Sequence, residues 1–112
     1  MEQRIDEETA KKIQELQVLE QNMQNVLMQK QAFLLERGET DNALEELKNT
    51  KEDVYKIAGQ IMIKTKKSDA ESDLKRKKEI LDLRIKSLEK QENFLKEQIT
   101  KGRDEILSKL KQ

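Results

Sequence analysis

Cysteine, histidine, proline and tryptophan are all missing from this 112-residue chain. Without cysteine there is no disulfide and no thiol chemistry, and without histidine as well the usual ligands of a zinc site are gone. Both absences fit a cytoplasmic protein. No P-loop, glycine-rich phosphate cradle or Cys/His nucleophile system occurs, so no catalytic, cofactor-binding or metal-binding residue is expected. Carboxylates are abundant, but their spread along the chain is that of solvated faces. Aromatic residues make up 3% of the chain and hydrophobic residues 34%, against 41% charged. That ratio cannot fill the core of a sphere and suits an elongated helical protein with a narrow apolar seam. No apolar run approaches the ~18 residues of a membrane span. The first residues, MEQRIDEETAKK, are charged throughout and lack the apolar stretch of a secretion signal. Abundant lysine and glutamate with no proline are compatible with a thermophilic source.

What is present is periodic. From about Ile5 to Asn49, a 3-4 spacing passes through Ile5, Thr9, Lys12, Leu16, Leu19, Met23, Val26, Lys30, Phe33, Arg37, Thr40, Leu44 and Leu47. Eight of these thirteen are apolar, sustained over about six heptads, which is a coiled-coil pattern. Gly38 is the weak point, where a bend or loosened turn is expected. A second frame, in a helix expected over 69–110, runs through Leu74, Lys78, Leu81, Ile85, Leu88, Glu92, Leu95, Ile99, Gly102, Ile106 and Lys109. Ser68-Asp69-Ala70-Glu71 reads as a capping box at its start. The two arms have similar length, roughly 65 Å each at 1.5 Å per residue. Folded back as an antiparallel pair, they set Lys12 near Glu105, Lys109 near Glu8 and Lys78 near Glu39.

Between the arms, VYKIAGQIMIKT (54–65) reads as a β-hairpin. Val54, Tyr55 and Ile57 favour a strand. Gly59-Gln60 fits a type II′ turn, with Ala58-Gly59 as the alternative. Ile61, Met62 and Ile63 form the return strand. The first turn places Val54, Ala58, Ile61 and Ile63 on one face and Tyr55, Ile57 and Met62 on the other, so both faces are largely apolar. A lone two-stranded hairpin is marginal in water, and its open edges invite pairing. Assembly of hairpins from several chains into a sheet or barrel is the economical solution.

The order helix, hairpin, helix, with Tyr55-Lys56, Gly59, Ile61, Ile63 and Lys64 in the hairpin, resembles the β-type subunit of prefoldin. Ala43-Leu44-Glu45-Glu46-Leu47 before it, Leu81, Leu83-Arg84 and Lys90-Gln91-Glu92 after it, and Gln29-Lys30-Gln31 in the first arm extend the resemblance over nearly the whole chain. A single hairpin points to the β class, and the short termini to an archaeal form. The resemblance implies a mainly α fold in which a long antiparallel two-helix coiled coil, joined by a small hairpin, enters an oligomeric β-barrel platform. It implies an α2β4 hexamer with α-type subunits. Its function would be an ATP-independent holdase that captures unfolded proteins at the coiled-coil tips and passes them to a group II chaperonin.

In the folded-back register, Met1, Ile5, Ile13, Ile106, Leu107 and Leu110 gather at the end that carries both termini, and they are the candidate client contacts. Ile5 and Ile106 also fit the seam. Gly102 is expected to encourage fraying there. Val54, Tyr55, Ile57, Gly59, Ile61, Met62 and Ile63 are the candidate assembly residues. Residues 64–78, KTKKSDAESDLKRKK, hold seven basic and three acidic groups. With no interleaved aromatics and zero net charge overall, they read as a solvated helix start and not as a nucleic-acid site. A coiled-coil scaffold or tether without client binding would explain the heptads equally well, but not the hairpin.

Overall fold

The computed structural model describes residues 6–111. It contains α1 (Glu7–Asn49), β1 (Val54–Ala58), β2 (Ile61–Thr65) and α2 (Lys67–Leu110). The chain divides into two compact units, one of Met1–Lys30 with Ser87–Gln112 and one of Gln31–Lys86. Both helices contribute to both units. No helix is long and apolar enough to cross a membrane among the described residues.

Asp6 sets the start of α1. Its carboxylate accepts a hydrogen bond from the Thr9 backbone N–H at 2.7 Å, and its carbonyl accepts from Ala10 at 3.0 Å. This is an N-cap, which satisfies a donor the helix leaves open and places negative charge at the positive end of the helix dipole. Glu7 and Glu8 in the first turn add to the same effect. The helix continues through Gly38 without interruption, where the sequence suggests a bend or loosened turn. A Cβ added at Gly38 would meet nothing within 4 Å beyond its own helix backbone. One turn around it is braced by the Thr40 hydroxyl, which donates to the Glu36 carbonyl at 2.8 Å.

α2 begins two residues before the expected position. The Lys66 carbonyl accepts from Ala70 N–H at 3.0 Å, so Lys66 is the cap and Ser68 already lies inside the first turn. The expected capping box is therefore not formed, because β2 ends at Thr65 and leaves a one-residue join. Glu71 turns forward to Lys75 Nζ at 3.0 Å instead.

Every heptad position of both frames within the described residues is buried or half-buried. α2 supplies most of the buried apolar side chains: Leu81, Ile85, Leu88, Leu95, Ile99 and Ile106, against Val26 and Leu47 from α1. Each contributes about 1.5–3 kcal/mol on burial, offset by the ordering of long helices. In the first unit, Gly102 leaves room for Leu16, whose Cδ1 would lie 3.4 Å from an added Cβ. Lys12 meets Glu105 at 3.4 Å and Lys109 meets Glu8 at 2.8 Å, as the register requires. Lys78, in the second unit, pairs with Asp41 at 2.7 Å and not with Glu39. Helical side chains lean toward their own N-terminus, which in an antiparallel pair carries Lys78 toward higher numbers on α1. Arg37 and Asp82, 2.7 Å apart, share the same offset. That contact is an ion pair in which the Arg37 Nε–H is not aligned on the oxygen.

Candidate functional site

In the second unit, β1 and β2 pair antiparallel with Val54 opposite Thr65 and Ala58 opposite Ile61, leaving Gly59-Gln60 as a two-residue loop. Gly59 has φ of 62°, while Gln60, like every other described non-glycine residue, avoids positive φ. A positive φ at the first central position alone is the signature of type II′, whose twist matches the flanking strands. Among the described residues no third strand joins this two-stranded sheet. Directly paired residues share a face, so Val54, Lys56, Ala58, Ile61, Ile63 and Thr65 lie on one side and Tyr55, Ile57, Met62 and Lys64 on the other.

Neither face is covered by the chain's own helices. Tyr55, Ile57, Ile61, Met62 and Ile63 are each at least half exposed, Ile57 most of all at 72%. Only Val54 and Thr65, at the base, are half-buried. The hairpin is held there by polar contacts. Lys64 Nζ lies 3.4 Å from Asp53, and Lys56 Nζ lies 3.7 Å from Asp73 on α2. The Glu52 backbone N–H donates to the Thr50 hydroxyl at 3.3 Å. An open groove at the base is floored by Ala43, Leu47, Ala70 and Leu74, with Tyr55 and Ile57 on its rim. Exposed ion pairs of this kind contribute at most about 1 kcal/mol, so they orient the ribbon more than they stabilise it. An apolar ribbon with two open edges is chemically suited to edge-to-edge pairing with other strands.

The first unit contains the other candidate set. Leu107 is 54% exposed, Leu110 is exposed and Ile13 is half-buried. Ile106 is 8% exposed and closes the heptad seam. Met1 and Ile5 lie outside the described residues. α2 remains helical through Gly102 to Leu110, where fraying is the expectation from sequence. The end of the seam is tied by charge. Asp6 has its pKa lowered by the hydrogen bonds from Thr9. Glu8 is lowered by its hydrogen bond and charge contact with Lys109. Further along, Lys30 faces Glu92 within the seam at 2.9 Å, and that bond raises the Lys30 pKa.

Several contacts escape sequence reasoning. Lys67 Nζ donates to the carbonyls of Lys48 and Thr50, the last turn of α1. The Arg84 guanidinium sits 5.6 Å from the centre of the Phe33 ring, a cation–π contact across the pair. Lys67 and Arg84 give no local signal, because their partners are on the other helix. The Asp6–Thr9 cap was readable as a short acceptor three residues before a free N–H.

The chain matches a family model described as prefoldin subunit over residues 10–112. It is 41% identical over 99 residues to the prefoldin subunit beta of Caldivirga maquilingensis, covering 87% of this chain and 78% of that one. To the prefoldin subunit beta of Methanospirillum hungatei it is 36% identical over 110 residues, covering 96% and 92%. It is also similar to the crystal structure of the prefoldin beta subunit from Thermococcus strain KS-1, with a TM-score of 0.91 and 34% identity over 99% of both chains.

Proposed function

This chain belongs to the prefoldin subunit family, and from that membership we propose that it is the β-type subunit of a cytoplasmic, ATP-independent holdase. Its hairpin joins α-type subunits and further copies of itself into an α2β4 hexamer built on a β-barrel platform. The paired helices hold unfolded proteins at the end that carries the termini and deliver them to a group II chaperonin. The observation that carries the reading is the hairpin, whose apolar side chains are exposed on both faces while no other described strand pairs with either edge. A chain stable in water has to cover such a ribbon, and strand pairing with other hairpins covers side chains and edges together.

Client contact is assigned to Ile13, Leu107 and Leu110, with Ile106 beside Leu107; Met1 and Ile5, expected from the sequence to share this role, lie outside the described residues. Each apolar contact is individually weak, at most about 1.5–3 kcal/mol for full burial. Several copies on one platform act together and raise the effective affinity without demanding a sequence match. Nothing in this scheme uses nucleotide, metal or catalytic chemistry.

Native mass spectrometry of the chain with and without an α-type prefoldin subunit tests the proposal. Mixing is expected to yield a hexamer containing four copies of this chain. A chain that stays monomeric after mixing would overturn the reading.

A further inference from the structure

We propose that the Lys30–Glu92 pair selects which helices pair: it commits α1 to an α2 and rejects a second α1, so that neighbouring copies keep their arms apart. This inference rests on the assembly reading, which sets several copies side by side, and adds to it a device against wrong pairing.

Of the charged seam residues, Lys12, Arg37, Lys78 and Lys109 meet acids that flank the seam, namely Glu105, Asp82, Asp41 and Glu8. Among the described residues, only Lys30 and Glu92 meet within it, Nζ to Oε1 at 2.9 Å. They are also the most covered of the described ion pairs, with side chains 24% and 26% exposed. An ion pair still partly open to solvent stabilises little. A well-packed apolar pair serves such a seam at least as well. Stability therefore does not explain why charge stands at this layer.

The surroundings do. Residues 21–35, QNMQNVLMQKQAFLL, carry no charge except Lys30. The same stretch holds the seam residues Met23, Val26 and Phe33 and the exposed Leu27, Met28, Leu34 and Leu35. Without Lys30 it would be apolar along its whole seam and rich in apolar residues beside it, as fit for another α1 as for α2. Arms that leave one platform run in the same direction, so α1 helices of neighbouring copies would pair parallel and in register. That pairing sets Lys30 on Lys30. No acid of α1 is near enough to relieve it, since the closest in sequence are Glu20 and Glu36, each more than one turn away. α2 against α2 would set Glu92 on Glu92 in the same way. One pair thus penalises both like-with-like pairings. The permitted pairing is α1 with α2, and the hairpin tether makes the chain's own α2 the nearest partner.

The chain has no cysteine, so a single Met23→Cys, one heptad before Lys30, can report α1–α1 pairing as a disulfide-linked dimer after oxidation with copper phenanthroline. The trap is run on the full chain assembled with an α-type subunit. With Met23→Cys alone, the copies are expected to stay unlinked. Adding Lys30→Leu with Glu92→Leu is expected to leave the melting temperature at or above that of the parent and to give the linked dimer. Exchanging the two charges instead, Lys30→Glu with Glu92→Lys, is expected to restore the unlinked state, because like would again meet like. An unlinked leucine variant, or a linked charge-exchanged one, would overturn the inference and leave the assembly reading standing. Linking with Met23→Cys alone would also overturn it. Absence of any hexamer from the parent chain would overturn the assembly reading and this inference together.

Discussion

Lys67 Nζ lies 3.2 Å from the Thr50 carbonyl oxygen and 3.4 Å from that of Lys48, so the first residue of α2 closes the last turn of α1. The carbonyls at a helix C-terminus lack intrahelical donors and carry the negative end of the dipole. A lysine donated from the other side of the hairpin satisfies both needs and pins the two helix ends beside the ribbon. Lys67→Met should keep the helix and lose the donor. Hydrogen exchange at the Thr50 amide, which bonds Glu46, is expected to speed up in that variant. An unchanged rate would show that the contact does not hold the turn.

The hairpin's open faces lead to a separate expectation. Ile61→Asp together with Ile63→Asp puts two charges on one face of the ribbon without touching either helix. Light scattering should then show no hexamer on addition of the α-type subunit, while far-ultraviolet dichroism stays strongly helical. A hexamer of normal mass would refute the platform.

Ile106 and Leu107 are neighbours in sequence with opposite surroundings, the first 8% and the second 54% exposed. Ile106→Ala should destabilise the paired helices by about 2–5 kcal/mol, with the low end expected so near a helix terminus. Leu107→Ala should change stability by less than about 0.5 kcal/mol and reduce suppression of client aggregation. Thermal melts and aggregation assays run on both variants separate the two roles.

The three glycines should respond in different directions. Gly38→Ala meets nothing within 4 Å and removes a costly residue from a helix interior, so a gain of about 1 kcal/mol is expected. Gly59→Ala forces a side chain onto a φ of 62° and should cost more than about 1 kcal/mol of hairpin stability. At Gly102, alanine would come to 3.4 Å from Leu16, within ordinary contact, so its helix-propensity gain should largely survive. Thermal unfolding of the three variants checks all of these.

Stability should depend on pH at both extremes and little between them. Asp6, Glu8 and Glu71 have folded pKa values below their ordinary 3.8, 4.5 and 4.5. Their contribution is full above those values and is lost as pH falls through the lower folded ones. Lys30 is raised above 10.5 by Glu92. Its contribution is full below 10.5 and is lost as pH rises through the folded value. The melting temperature is therefore expected to be flat from about pH 5 to 9, to fall below about pH 4 and to fall again above about pH 10.5. A Glu92→Gln variant should lose the alkaline step selectively.

Sequence periodicity located the buried frame well, because burial in a two-helix pair follows from the 3-4 spacing alone. Lys30, Arg37 and Lys12 were legible as seam positions for that reason, although they are charged. The hairpin's turn was equally legible, since only glycine tolerates the φ that a II′ turn needs at its first central position. The start of α2 was misread. Ser68 to Glu71 satisfies the capping pattern locally, but the strand before it ends one residue from the helix, and that join depends on β2 pairing with β1. The Lys78 partner was also beyond the sequence, because choosing Asp41 over Glu39 depends on the direction in which side chains lean across an antiparallel pair.

By itself, then, the order of residues determined two heptad helices, their antiparallel pairing and a hairpin apolar on both sides, since each of these follows from spacing or from the conformational reach of a single residue. Only the tertiary structure decided how the ribbon joins the helices and which partner each charged side chain meets. It made Lys66 the cap of α2, paired Lys78 with Asp41 and set Lys67 on the Lys48 and Thr50 carbonyls, because each depends on which groups of the other strand or helix arrive at that position, and no residue encodes that alone.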